Sequence, residues 1–322
     1  MLFQRSVLLA TMLGGASVLA AFVDVTEQVL PAYTQSYVPF LDIKKTPMAA
    51  GVCTLDVNND GSPDLYFVSG PGFPNALMLN VGSGVFHDVS EQWGLVHNED
   101  SVLTCLAIDL DNDGCDDLVL TGAFTGDSFT GNFMPKNNYC SDGAMNFIDV
   151  IPPVLKDLPY TISSSAYDFD HDGLLDLYVS ALGGRPLILY GEPNGNHWLG
   201  VRLEGTGPKT SHQAIGAVAQ LSRKDGSGPK QTLILSAGSA AMSTEEKTLF
   251  FGMGSSDVSD YESSITWPGS GETEVFDGFS EPKIVTLVQG TGVPSSVEAS
   301  RSGSSSTTGE TPLSKNNFML HR

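Results

Sequence analysis

Three stretches of this sequence concentrate oxygen-bearing side chains at one fixed spacing: DVNNDGSPD from Asp56, DLDNDGCDD from Asp109 and DFDHDGLLD from Asp168. Counted from the first aspartate, positions 1, 3, 5 and 9 hold Asp56, Asn58, Asp60 and Asp64 in the first stretch. They hold Asp109, Asp111, Asp113 and Asp117 in the second, and Asp168, Asp170, Asp172 and Asp176 in the third. Position 6 is Gly61, Gly114 and Gly173, as a sharp turn with positive φ requires. Alternating oxygens on such a backbone converge on one point, and a set without imidazole or thiolate suits a hard cation. Calcium is expected over magnesium because it accepts six to eight oxygens in loose geometry. Four side chains, the position 7 carbonyl and water approach that number, giving about three ions per chain. Carboxylates crowded in this way repel, so an ion-free loop is expected to open or to raise its carboxyl pKa values.

An EF-hand shares positions 1, 3, 5 and 6 but needs a bidentate Glu at position 12 between two helices. Position 12 here is Phe67, Leu120 and Val179, which excludes that geometry. Asp116 is an additional acid in the second stretch with no ligand role in this scheme, and His171, at position 4, is expected on the surface.

The elements that carry the loops follow from the flanking residues. Small and apolar runs precede them, as in AAGVCTL and SVLTCLAI, and β-branched or aromatic runs such as Leu65 to Val68 follow. Runs of this length bounded by Gly, Asn and Asp read as strands, so each loop should link two strands. The loops begin 53 and 59 residues apart. A second signature keeps step with them: FVDVTEQ from Phe22, FHDVSEQWGL from Phe86 and FIDVIPPVL from Phe147. A repeat of about 55–60 residues with several short strands has the size of a propeller blade.

The 322-residue chain has 37 Asp and Glu against 16 Lys and Arg, a formal charge of −21. That balance argues against nucleic acid or an anionic membrane as partner. Residues 1–20 have Arg5 before an apolar run from Val7 to Ala21, with Val18 and Ala20 suiting cleavage after Ala20. This reads as a secretory signal peptide, and no later segment is apolar enough to span a bilayer. In an oxidising compartment Cys53, Cys105, Cys115 and Cys140 permit two disulfides in any of three pairings. There is no Asn-x-Ser/Thr sequon.

The loops and the NALMLNVGSGVFHDVS stretch from Asn75 resemble the FG-GAP or VCBS-like repeats of integrin-type β-propellers, over about Phe22 to Tyr190. From Asn194, NGNHWLGVRLEG, AIGAVAQL, LFFGMGSSD and ITWPGSGE are similar to the C-terminal ASPIC/UnbV domain that accompanies such repeats in cartilage acidic protein and its relatives. Where that family has Asn-Arg before Ala-Ile-Gly-Ala, this chain has Ser211, His212 and Gln213. The expected fold is therefore all-β, with three propeller-like blades over 22–190 and a small β-sandwich-like domain over 194–290. The alternation in VRLEG, VAQLS, QTLILSA and SITWP independently suits half-buried strands. A Ser/Thr/Gly-rich disordered tail is expected over 292–322. Three blades fall short of the four to eight that close a propeller. The segment from Asp24 to Ala50 with the C-terminal domain, self-association, or a shortened family member would each account for this.

In the second domain Trp198, Trp267 and Phe251 read as core, His197 as structural, and Gly252, Gly254 and Gly269 as turn or close-packing glycines. The resemblance implies a secreted, extracellular calcium-binding binding, adhesion or matrix module whose ligand is a protein or glycan. No catalytic constellation is recognisable, and an enzyme is not expected. His87, His97, His171, His197, His212 and His321 are scattered without a zinc-type pair. The alternative is an extracellular metal-dependent hydrolase, with the ion as Lewis acid.

Overall fold

Each acidic loop connects two antiparallel strands, as the flanking runs predict. The computed structural model describes residues 51–69, 74–82, 85–95, 102–122, 131–159, 161–181, 184–238, 247–292 and 294–296. The first unit is a meander of β1 (Gly51–Leu55), β2 (Asp64–Val68), β3 (Ala76–Asn80) and β4 (Phe86–Asp88), hydrogen-bonded in that order. The second comprises β5 (Val102–Ile108) paired with β6 (Asp117–Gly122), and β7 (Pro135–Asn137) paired with β8 (Phe147–Asp149). A bridge between Leu120 and Phe133 joins these pairs into one blade. One-turn helices α1 (Tyr139–Asp142) and α2 (Pro153–Lys156) lie before and after β8. The third unit is β9 (Thr161–Tyr167), β10 (Asp176–Ala181) and β11 (Leu187–Leu189).

The units stand side by side through their first strands, β1 against β5 and β5 against β9. The middle unit is consequently covered on both faces. All six residues of β6 are buried, and successive side chains point to opposite faces of a strand. Leu118 and Leu120 join Leu55, Tyr66 and Leu77 of the first unit, whereas Val119 joins Ala166 and Leu177 of the third. Trp93, from the EQWGL stretch, is 2% exposed between the first two units, its ring centroid 5.9 Å from Phe147 and 6.1 Å from Tyr139. Among the described residues the second repeating signature is therefore the outer strand of the first two units, β4 and β8, and its packing.

The remainder is a β-sandwich. One sheet has the order β15 (Leu249–Gly254), β12 (His197–Glu204), β18 (Ile284–Val288), β19 (Pro294–Ser296); the other has β14 (Gln231–Ile234), β13 (Val218–Arg223), β16 (Tyr261–Thr266), β17 (Thr273–Phe276). Leu199, Val201, Phe251 and Leu287 of the first sheet share a core with Ala219, Leu221, Ile265 and Phe276 of the second, with Trp267 fully buried among them. β12 and β18 pair in parallel.

Pro294–Ser296, within the Ser/Thr/Gly-rich stretch, pair antiparallel with β18. An open sheet edge offers backbone donors and acceptors to any extended segment, so the polar composition did not prevent a strand. Residues 1–20, FVDVTEQ from Phe22, the strands expected over 24–50 and the tail from 297 lie outside the described residues. No helix among the described residues is long and apolar enough to cross a membrane.

Candidate metal centre

The three loops share one hydrogen-bond scheme. The position 1 carboxylate accepts from the backbone N–H groups of positions 5 and 6: Asp56 from Asp60 and Gly61 at 3.0 and 2.8 Å, Asp109 from Asp113 and Gly114 at 3.1 and 2.9 Å, and Asp168 from Asp172 and Gly173 at 3.1 and 3.1 Å. The position 9 carboxylate uses one oxygen for the position 2 N–H, with Val57, Leu110 and Phe169 donating at 2.9, 3.0 and 2.7 Å. Its other oxygen reaches the end of the third strand of the same unit, accepting from Asn80, Asn137 and Gly191 at 2.7, 2.7 and 2.8 Å. The ninth residue thus ties the loop to its blade.

Gly61, Gly114 and Gly173 have φ of 85°, 100° and 90°, as expected. Position 4 is also left-handed, with Asn59, Asn112 and His171 at φ 52°, 58° and 63°. That second turn went unread, although asparagine and histidine are among the side chains that tolerate this region best. His171 is exposed, and its backbone rather than its ring shapes the loop.

In the second loop one oxygen each from Asp109, Asp111 and Asp117 lie within 4.8 Å of one another; Asp168, Asp170 and Asp176 do the same in the third. Asp113 and Asp172, at position 5, fall outside these triplets and accept the position 7 N–H at 3.0 and 2.9 Å. The first loop forms no such triplet among the described residues. Its third position is Asn58, whose amide donates to Asp60 at 3.0 Å, while Asp56 and Asp64 are buried.

Burial pushes the Asp56 carboxyl up to about 7, against the Gly61 hydrogen bond and with help from the Asp60 charge. It lifts Asp64 to about 6. Asp109 and Asp117 are raised well above the usual carboxylate range, first by burial and then by the neighbouring charges of Asp113 and Asp109 respectively. Burial also raises Asp113 and Asp168.

A cation already built into the chain answers part of this charge. Lys136 on β7 bonds to Asp111 Oδ2 and stands 3.2 Å from Asp113 Oδ2. Burial works against the ammonium, but the hydrogen bond to Asp111 and the charges of both acids hold its pKa above the ordinary lysine value. Nothing local in the sequence identified Lys136, which lies 25 residues from Asp111. Even so, Asp111 Oδ1 is buried and makes no hydrogen bond, and Asp113 Oδ2 has the Lys136 ammonium beside it at 3.2 Å. A buried carboxylate oxygen without a donor fits a bound cation, because desolvation without a partner is costly.

The first two loops are welded together. Asp116, left without a role by the sequence, accepts from the Asp56 N–H at 3.0 Å. Asn59 donates to the Gly114 carbonyl at 2.6 Å, and Asn137 donates to the Val57 carbonyl at 2.9 Å. Of the three pairings left open, the chain adopts Cys53–Cys105, between β1 and β5, and Cys115–Cys140, between the second loop and α1. Both tie the loop-bearing strands to their surroundings.

The histidines do not converge among the described residues. His87 is exposed, His197 Nδ1 lies 2.7 Å from the Ser256 carbonyl and His212 is a surface partner of Glu204 at 3.5 Å. His97 and His321 lie outside the described residues. Trp267 and Phe251 are fully buried in the sandwich core, whereas Trp198 is only half-buried. Gly269 has φ 77°, and an added Cβ would meet the Lys209 carbonyl at 2.4 Å, so it is a close-packing turn glycine as expected.

Sequence-family profiles match an FG-GAP-like repeat over residues 56–120 and an ASPIC and UnbV domain over residues 207–294. No curated protein sequence matches the chain. A crystal structure of a candidate cell adhesion protein from Bacteroides uniformis is similar at 9% identity and a TM-score of 0.21, covering 59% of this chain and 88% of that one. At that score the likeness bears on neither fold nor function.

Proposed function

We propose that this chain, which joins an FG-GAP-like repeat to an ASPIC and UnbV domain, is a secreted calcium-binding module with a binding or adhesion role rather than an enzyme. The observation that carries the reading is the repeated carboxylate triplet, Asp109, Asp111, Asp117 and Asp168, Asp170, Asp176, with a buried oxygen of Asp111 that accepts no hydrogen bond. An all-oxygen donor set on a flexible turn suits calcium better than magnesium, which demands near-octahedral geometry. In this reading the ion is held by positions 1, 3, 5 and 9 of each loop, including Asp56, Asn58, Asp60 and Asp64. It neutralises the carboxylates and so rigidifies three blades that would otherwise repel. Residues 1–20 act as leader, 22–190 as the propeller-like repeat region, 194–290 as the second domain and the Ser/Thr/Gly-rich end as a tail. Two disulfides support an oxidising, extracellular destination. The ligand is an extracellular protein or glycan.

Isothermal titration of the chelator-stripped protein is expected to give about three calcium equivalents, with a rise in melting temperature as the ion binds the native state alone. Asp111→Ala should remove one equivalent. Heat-silent titration together with an unchanged melting temperature would defeat the reading. A panel of esterase, phosphatase and glycosidase substrates is expected to give no turnover; hydrolysis abolished by Asp111→Ala would instead make the chain a metal-dependent hydrolase.

A further inference from the structure

The sixth-position glycines of all three loops point at the same object, the C-terminal sandwich. An added Cβ at Gly61 would lie 3.6 Å from Thr232 Oγ1; at Gly114 it would lie 3.1 Å from both Gln231 Nε2 and the Gly252 carbonyl. At Gly173 it would fall within the ring of Trp198, 1.7 Å from Cζ2. The contact is equally close from the other side. A Cβ at Gly252 on β15 would meet Asp109 Oδ2 at 1.9 Å and the Asn112 backbone at 2.5 Å.

Hydrogen bonds fix the same junction at its centre. The Gly254 N–H donates to the Asn112 carbonyl at 2.9 Å. Asn196 donates to the Asp111 carbonyl at 2.8 Å, as does the side chain of Asn194. These carbonyls belong to positions 3 and 4 of the second loop, so the sandwich reads the loop backbone in one particular conformation. The contact is not a filled core. A cavity of about 290 Å³ remains between the two parts, with Leu55, Asp56, Leu106, Asp109, Thr232 and Phe250 among its walls.

We infer that the three acidic loops are the docking surface for the chain's own C-terminal sandwich, and that cation binding and docking are thermodynamically linked. The inference rests on the calcium reading above and adds to it the partner that the loops meet. Docking takes Asp109 out of water against Gly252, and the two backbone N–H groups it accepts from are a partial answer to a charge whose burial is unfavourable. A cation removes that penalty and holds the loop in the shape that Asn194, Asn196 and Gly254 grip. Reciprocity then requires that a docked sandwich tighten cation binding by the same factor. Without the ion the balance moves toward a detached state, joined by segment 191–196, of which residues 192–195 are exposed.

Gly252→Ala in the full chain tests this from the sandwich side, leaving every loop residue untouched. Gly252 is not in the left-handed region, so the substitution reads the contact with the loop. Calcium affinity at one site is expected to fall by roughly 5–150-fold, the usual span of a coupling between sites. In chelator the wild-type chain should be cut by protease within 191–196 and show a larger radius of gyration in solution scattering, both reversed by millimolar calcium. Emission from the buried Trp267 reports whether the variant sandwich stays folded. Asn196→Ala, which removes one junction bond without adding bulk, should shift affinity in the same direction by less. Wild-type calcium affinity in both variants, or equal protease resistance of the wild type with and without calcium, would overturn the linkage and leave the calcium sites standing. Absence of calcium binding to the wild type would remove both.

Discussion

Asp117→Ala is expected to destabilise the chain by roughly 2–6 kcal/mol even in chelator, and by more in calcium, where a ligand to the ion is lost as well. Its side chain is fully buried, and its two oxygens accept the N–H groups of Leu110 and Asn137. Truncation leaves both donors buried without partners, at about 1–3 kcal/mol each. Asn137 is the end of β7, so the loss is felt in the blade as well as in the loop. Asp111→Ala provides the contrast within the same loop. The Asp111 side chain bonds only to Lys136, which retains Asp113, so its removal in chelator should change stability by less than about 1 kcal/mol. Urea denaturation of both variants in chelator checks the pair. Equal destabilisation would mean that position 9 serves only as an ion ligand and that the ties to Leu110 and Asn137 carry no weight.

Replacing Cys53 and Cys105 together by alanine is expected to cost about 4 kcal/mol, following the loop-closure dependence for their 52-residue separation. The bridge joins the first strands of two blades, and both cysteines are buried in the core shared by those blades. Its removal therefore frees the unfolded chain and also leaves a gap beside Leu55 and Leu118. The midpoint of denaturation under oxidising conditions should shift accordingly. A loss below about 1 kcal/mol would mean that core packing alone holds the first two units together.

Much of the architecture was legible because it repeats. The period identified three strand–loop–strand units, and alternating residues such as those of VRLEG and SITWP identified the sandwich strands. What escaped was non-local. Lys136 reaches Asp111 only because β7 folds back across the loop, and Asp116 acquires its function from the Asp56 N–H of the preceding unit. The cysteine pairing likewise depends on which strands stand side by side. Asn59, Asn112 and His171 were visible as residue types that accept a left-handed backbone, but a position whose residue varies between Asn and His gives a weaker signal than an invariant glycine. Pro294–Ser296 became a strand through backbone pairing with β18, a contribution that composition does not register.

The roles within the loops also divide along lines the sequence did not draw. Positions 1 and 9 have their carboxylates committed to backbone N–H groups of the turn and of the third strand. Position 3, in the second loop, keeps a buried oxygen without any donor. A ligand pattern read as four equivalent oxygens is thus two anchors that shape the site, position 5, which closes the turn through the position 7 N–H, and position 3, left with fewer backbone ties.

The most direct measurement is an electron-density map of crystals grown in millimolar calcium. The account predicts a spherical peak in each hairpin, at about 2.3–2.6 Å from side-chain oxygens of the loop, including Asp111 and Asp170. Three hairpins holding only water, or the Lys136 ammonium still seated on Asp111 with no ion beside it, would contradict it.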